Sequence, residues 1–328
     1  MILQKLNKDI LSAIKSARRI FLFGHKECPD GLGSTSALSA LLDALEKEYV
    51  WWSRAPVPES LRFISRTENI RIDTNFHLEE FDVIISIDNG DLKQTGIEAE
   101  LKGARASGRS LIINIDHHAS NEFFGHINAV NIKASAAAEL IYDFCCDNTL
   151  HLSKEMAESL LCGIVGDTGN FSNNATNVRS FHITVKLLSK GVSMAKIVNA
   201  VIEPREKDIA ILNLWGVVFS RLTFHETSGI ATTIVLQKDL KAHNLSLEAT
   251  EGIANFMNNL KDVKASLVLT ELPGRKIKGS LRTTRLDVDV AALAARLGGG
   301  GHKKAAGFTI DGSLNQNGKG TNIMKLFT

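Results

Sequence analysis

Four short apolar runs punctuate the first half of the chain: Ile20–Gly24, Tyr49–Ser53, Val83–Asp88 and Ser110–Asp116. Each is continuous rather than alternating, the pattern of a strand buried on both faces of a parallel sheet. Apolar positions recur with helical spacing at about Ser34–Leu45, Ala136–Cys146, Ser153–Val165 and Thr176–Lys190, the last stopped by Gly191. Ser193–Glu203 reads as a connecting helix ending near Pro204, and Met1–Arg19 as an amphipathic helix. The alternation predicts βαβ units and an α/β fold with a doubly wound parallel sheet.

The pattern changes past residue 200. Ile230–Leu236, Ala265–Glu271, Lys276–Arg282 and Phe308–Asp311 read as strands, with helices at about Leu247–Leu260 and Val288–Leu297. This predicts a second, smaller α/β domain. The expected division is 1–195, a linker helix region over 196–210, and 211–328, with the two domains facing each other across a cleft.

Composition adds limits. The 328 residues are 44% apolar and 23% charged, ordinary for a globular protein of two domains. No run approaches the ~20 apolar residues of a membrane span. The four cysteines (Cys28, Cys145, Cys146, Cys162) form no CxxC pair, which points to a reduced, cytoplasmic setting. Net charge is +2, yet residues 1–205 hold 22 basic against 25 acidic residues and residues 206–328 hold 16 against 11. An acidic metal-binding part beside a basic phosphate-holding part accounts for the split, and so does chance. Such a weakly basic chain does not suit tight, sequence-independent binding of long duplexes.

The candidate chemistry sits where the apolar runs end. His25 and Asp30 follow the first run in a glycine-containing loop, a set that holds a hard or borderline cation. Ser34 and the nearby glycines leave N–H groups at a helix start, where phosphate binds. Asp88 ends the third run, and its two oxygens can bridge two ions. Taken singly, each of these also reads as a capped turn. Asp116-His117-His118 is harder to explain as structure: adjacent imidazoles point apart, so one can bind metal while the other reaches a phosphate, with Asp116 orienting an imidazole. Asp167, in Gly166-Asp167-Thr168-Gly169, is a further ligand candidate. The expectation is that four strand ends bring these groups together. In the second half, Gly298–Gly301 with His302 permits close backbone approach to a ligand, and Ser280 and Arg282 suit phosphate. Lys303 and Lys304 read equally well as solvated surface charges.

These residues resemble a family. Asp116-His117-His118 is the triplet that names the DHH phosphoesterases, and Gly298-Gly299-Gly300-Gly301-His302-Lys303-Lys304-Ala305-Ala306-Gly307 looks like the glycine-rich signature of their DHHA1 domain. Asp88, Gly166-Asp167-Thr168-Gly169 and Asn121 match as well. The chain most resembles the short two-domain nanoRNase/pAp-phosphatase type. That resemblance implies a hydrolase acting on short single-stranded oligonucleotides and 3′-phosphoadenosine 5′-phosphate with two divalent ions, expected to be Mn²⁺. It implies that His25 and Asp88 hold one ion and that Asp30, Asp88, His117 and Asp167 hold the other. His118, oriented by Asp116, would contact the scissile phosphate or protonate the leaving oxygen. Ser280, Arg282, Gly300, Gly301 and His302 would hold the substrate's terminal phosphate or nucleotide, so that the second domain acts as a ruler. A homodimer is compatible with this type; a membrane partner is not.

One departure stands out. The family's first motif carries two aspartates, His-x-x-x-Asp-x-Asp, whereas His25 is followed by Lys26-Glu27-Cys28-Pro29-Asp30. Counting back from Gly33-Ser34, Asp30 takes the second aspartate's place and Cys28 falls opposite the first. Glu27 could reach the vacancy, Cys28 could fill it with a softer donor, or the first ion is held weakly or not at all. Lys93 also stands where the family has Arg. The rival readings are a cyclic-dinucleotide phosphodiesterase, a RecJ-like single-strand exonuclease, and a non-catalytic nucleotide-binding protein with a degenerate metal site.

Overall fold

A computed structural model describes residues 2–25, 28–73, 76–201, 209–250, 252–258 and 260–314. Glu27 and residues 202–208 of the expected linker lie outside these. The chain divides into two units, Met1–Pro204 and Arg205–Thr328.

The first unit runs α1 (Ile2–Ser16), β1 (Arg19–Gly24), α2 (Pro29–Ala44), β2 (Glu48–Trp52), β3 (Val83–Ile87), α3 (Leu92–Thr95), α4 (Glu98–Ser107), β4 (Leu111–Asp116), β5 (Ile127–Val130), α5 (Ala137–Asp147), α6 (Lys154–Asp167), α7 (Val178–Leu188) and α8 (Met194–Val201). Its five strands form one parallel sheet in the order β2-β1-β3-β4-β5. Ile20, Leu22, Ile85, Ile87, Ile113 and Ile115 pack with α2, α5 and α6 on one face. Their chain neighbours Phe21, Phe23, Ile84 and Ile112 join Trp52, Phe81 and Leu101 on the other. Apolar residues therefore fill both faces, which is why these runs are continuous in sequence. Each fully buried Ile or Phe contributes roughly 1.5–3 kcal/mol.

Register decides where the strands stop. Gly24 lies beside Ile87, and Ile87 beside Ile115. The residues that follow, His25, Asp88 and Asp116, consequently emerge together at the carboxyl edge of the sheet.

The second unit contains α9 (Ile209–Phe219), β6 (Thr223–His225), β7 (Ile230–Val235), α10 (Gln237–Ala242), α11 (Ile253–Met257), β8 (Ala265–Leu272), β9 (Lys276–Arg282), α12 (Val290–Ala295), β10 (Gly300–His302) and β11 (Ala305–Asp311). The sheet order is β10-β11-β9-β8-β7-β6, with only β7 and β8 parallel. The single helix expected over Leu247–Leu260 is instead a 3₁₀ turn, Leu247–Thr250, followed by α11. Gly252 at φ +94 breaks it, and a Cβ there would meet the Trp215 ring at 3.2 Å. The glycine run, for which no strand was expected, partly forms β10, paired with β11.

Candidate metal centre

The loop after β1 folds directly into α2. Cys28 is the N-cap of this helix, with its Sγ accepting from the Gly31 N–H at 3.1 Å, and Pro29 supplies the first helical residue. The helix thus begins five residues earlier than the apolar pattern suggested, which places Asp30 in its first turn. Asp30 is fully buried. Its Oδ1 accepts from Ser34 Oγ at 3.1 Å and from the Ala138 N–H at 2.9 Å, and its Oδ2 accepts from the Ala137 N–H at 2.5 Å. Asp30 therefore also caps α5, whose positive end suits a carboxylate.

Asp88 follows β3 in the left-handed region, at φ +60. Asp is one of the few non-glycine residues that occupy it, and such strain concentrates at functional sites. Its N–H is tied to Ile115 O at 2.9 Å. Its carboxylate lies in the middle of the group: Oδ1 is 3.4 Å from His117 Nε2 and 3.6 Å from His118 Nδ1, and Oδ2 is 3.1 Å from Cys28 Sγ and 3.9 Å from His25 Nδ1. The same His117 Nε2 is 3.1 Å from Asp167 Oδ2 and 3.9 Å from Asp30 Oδ2.

All seven predicted residues of the first unit converge: His25, Asp30, Asp88, Asp116, His117, His118 and Asp167. The expectation of four strand ends was wrong in one respect. Three strand ends contribute; Asp167 is the last residue of α6, and Asp30 belongs to α2. The small residues that bring α6 so close to α2 include Gly163, where a Cβ would sit 2.5 Å from Asp30 Oδ1.

The donor set fits divalent cations. Ligand atoms fall within 4.8 Å of one another in three groups: His25, Cys28 and Asp88; Asp30, His117 and Asp167; and Asp88, Asp116, His117 and His118. Two atoms at the centre, Asp88 Oδ1 and His117 Nε2, are buried and meet other side chains only at ion-pair distance, without a well-aligned hydrogen bond. Leaving such atoms unpaired costs free energy, and a cation removes that cost. Burial, with the like charges of Asp88 and Asp167, pushes the Asp30 carboxyl well up; burial also raises Asp167. Burial alone would lower the His117 imidazole, but the carboxylates of Asp167 and Asp88 push it up to about 11. The Nε2 of His117 thus faces the carboxyl groups of Asp30, Asp88 and Asp167 at once, a crowding that suits a divalent ion. The Nδ1 of His117 sits 3.4 Å from Ala134 O, which leaves Nε2 for the ion.

Asp116 and His118 are arranged differently. His118 Nδ1 donates to Asp116 Oδ1 at 2.7 Å, and Asn121 Nδ2 donates to Asp116 Oδ2. Asp116 raises the His118 imidazole, and although burial acts against it, its bonds to His118 and Asn121 hold Asp116 low.

In the second unit, cross-strand register aligns Arg282, Ala305 and His302 in one row and Ser280, Gly307 and Gly300 in the next. A cavity of about 320 Å³ is lined by Lys278, Ser280, Arg282, Thr270 and Thr250 among others. Gly300, Gly301 and His302 lie on the exposed edge strand β10 and do not line it. Gly301 has φ +140, and a Cβ there would meet Ala305 O at 2.6 Å. Lys278 was missed from the sequence, although its alternation with buried Ile277, Gly279 and Leu281 marks it as sharing a face with Ser280 and Arg282. Cys28 was considered there but left out of the ligand set.

The family model described as "DHH family, N-terminal domain" matches residues 19–164, and that described as "DHHA1 domain" matches residues 228–324. A protein of Thermus thermophilus named bifunctional oligoribonuclease and PAP phosphatase NrnA is 30% identical over 313 residues, 94% of this chain and 88% of that one. A Streptococcus mutans protein named probable bifunctional oligoribonuclease and PAP phosphatase NrnA is 29% identical, with 92% of each chain covered. Among solved structures, an exopolyphosphatase-related protein from Bacteroides fragilis superposes with a TM-score of 0.83 at 26% identity, covering 99% of this chain and 94% of that one. RecJ from Thermus thermophilus, solved with Mn²⁺, shares the fold at a TM-score of 0.53 and 16% identity over 94% of this chain and 52% of its own.

Proposed function

Because the chain belongs to the DHH family, we propose that it is a metal-dependent phosphoesterase that hydrolyses short oligonucleotides and 3′-phosphoadenosine 5′-phosphate. The observation that carries this reading is the convergence of the carboxylates of Asp30, Asp88 and Asp167 on one buried atom, His117 Nε2, at 3.9, 3.4 and 3.1 Å. Relatives named for these two activities match nearly the full length of the chain.

His25 and Asp88 hold one ion; Asp30, Asp88, His117 and Asp167 hold the second, with Asp88 shared between them. Manganese is the expected metal at the all-Asp/His position. Divalent ions there offset charge on phosphate oxygens and lower the pKa of water. The rest falls to the chain. Asp116 accepts from His118 Nδ1 and so fixes which nitrogen is left for the substrate: Nε2, from which a proton passes to the leaving oxygen. Asn121 keeps Asp116 from turning away. Ser280, Arg282 and the Gly300-Gly301-His302 strand bind the terminal phosphate or nucleotide, with Lys278 added to that set. Among the described residues no helix is long and apolar enough to cross a membrane, and the four free thiols suit the cytoplasm.

The test is turnover with Mn²⁺ of a dinucleotide, of 3′-phosphoadenosine 5′-phosphate and of a long single strand. Fast release from the first two supports the reading. A long strand cleaved equally fast moves it to a single-strand exonuclease. Ions bound without turnover of any of the three move it to a nucleotide-binding protein.

A further inference from the structure

The first ion position has an unusual third member. Cys28 Sγ points at Asp88 Oδ2 across 3.1 Å, His25 Nδ1 approaches the same oxygen at 3.9 Å, and all three ligand atoms lie within 4.8 Å of one another. Donors held 2.0–2.3 Å from one ion are separated by distances of this order. We propose that Cys28 ligates the first ion through Sγ, with His25 and Asp88, and makes that position select zinc over manganese.

The proposal rests on the metal-centre reading above and goes beyond it in ligand and in metal. The Asp88 carboxylate ties this position to the rest of the centre: it is 2% exposed, its Oδ2 faces Cys28 and His25, and its Oδ1, which makes no hydrogen bond, faces His117 and His118. The alternative is that Cys28 is merely a helix cap. Ser, Thr, Asp and Asn cap better, and a cap has no need to direct its S–H at a carboxylate. The Gly31 N–H donates to Sγ at 3.1 Å, a contact that a metal-bound sulfur keeps. Binding forms the metal–sulfur bond, breaks S–H and releases the proton to solvent. A thiolate is a soft donor where an aspartate is a hard one, so affinity moves from manganese toward zinc. Cys28 is also the cysteine found in these groups; Cys145 and Cys162 are buried elsewhere, and Cys146 is exposed.

Cobalt(II) is the probe. The full chain is titrated with Co²⁺ and its absorption followed, with bound metal counted by equilibrium dialysis. We expect a near-ultraviolet thiolate-to-cobalt charge-transfer band that is absent from Cys28→Ser and from Cys28→Asp, while visible cobalt absorption from the other ion persists in both. In competition, Cys28→Asp loses zinc relative to manganese by at least about 10–100-fold, the loss typical of removing even an outer partner of a metal ligand. Two cobalt ions bound without the band, or a band that survives in Cys28→Ser, overturns the Cys28 assignment and leaves the metal centre standing. No cobalt bound overturns both. A Cys28→Asp variant with an unchanged zinc-to-manganese ratio overturns the selectivity.

Discussion

His118 Nδ1 and Asp116 Oδ1 are 2.7 Å apart, and Asp116 is itself wholly buried and held by Asn121. The imidazole therefore has one orientation and one free nitrogen. Asp116→Asn keeps the shape but can present an amide N–H where an acceptor is needed. The expected result is a fall in kcat of about 10²–10⁴-fold, the contribution of a positioned acid, with two ions still bound per chain. Single-turnover rates and metal counting check it; a variant that loses its ions instead assigns Asp116 to holding metal.

Asp88 meets both ion groups, so its replacement separates stability from function. In Asp88→Asn one of the crowded negative charges is gone and the left-handed backbone is kept, since Asn tolerates it. Thermal unfolding in chelator should show the variant at least as stable as the parent. With ions present the order reverses, because only the parent gains binding free energy. Turnover falls by at least about 10³-fold, as for loss of a principal electrostatic group.

Packing reaches the site through Gly163. A methyl group there meets Asp30 Oδ1 at 2.5 Å and Ala138 Cβ at 2.9 Å. Gly163→Ala should cost about 1–3 kcal/mol by overpacking and, by moving Asp30, weaken ion binding as well. Urea denaturation gives the first quantity and metal titration the second; unchanged metal affinity means that α6 yields without disturbing Asp30.

The second unit has its own acid sensitivity. Arg221 grips Asp239 with two hydrogen bonds, 2.5 and 2.9 Å, and Asp239 also accepts from the Leu236 N–H at 2.9 Å. Burial acts to raise this carboxyl, but the Arg221 and Leu236 bonds outweigh it and hold it below the usual value. A lowered folded value means that the stabilisation is complete above the unfolded carboxyl value, about 3.9, and is lost as pH falls through the folded one. Arg221→Met should lower stability at neutral pH by roughly 1.5–3 kcal/mol, the worth of hydrogen bonds to a charged group. The gap should narrow below about pH 4. Unfolding curves at neutral and acid pH measure both.

For the nucleotide face, Arg282→Ala should raise KM for both small substrates by about tenfold or more, a loss of at least one charge-assisted hydrogen bond, with kcat little changed. An effect on kcat alone would place Arg282 outside ground-state binding.

Much of this was legible in the sequence for a physical reason. Strands buried on both faces, such as Val83–Ile87, leave continuous apolar runs, and the polar residue ending each run must emerge at the edge of the sheet. The triplet at 116–118 and Asp88 were therefore readable. The start of α2 was not, because Cys28 caps it and its first five residues include two glycines and a proline, residues that read as loop. The edge strand β5 and the short β10 were missed because edge strands bury too little to leave an apolar pattern. The helix expected over 247–260 failed at Gly252, which has a positive φ and where a Cβ would crowd the Trp215 ring.

Asp30 and Cys28 differ in what each can tolerate. Asp30 has three protein donors on two oxygens, two of them backbone N–H groups at the start of α5. An amide at this position would set N–H against N–H, and a longer side chain would have no room beside Gly163. Sulfur at 28 answers to one backbone donor alone. One wall of the centre is thus rigid and the other adjustable, and a change of metal has to enter through the adjustable one.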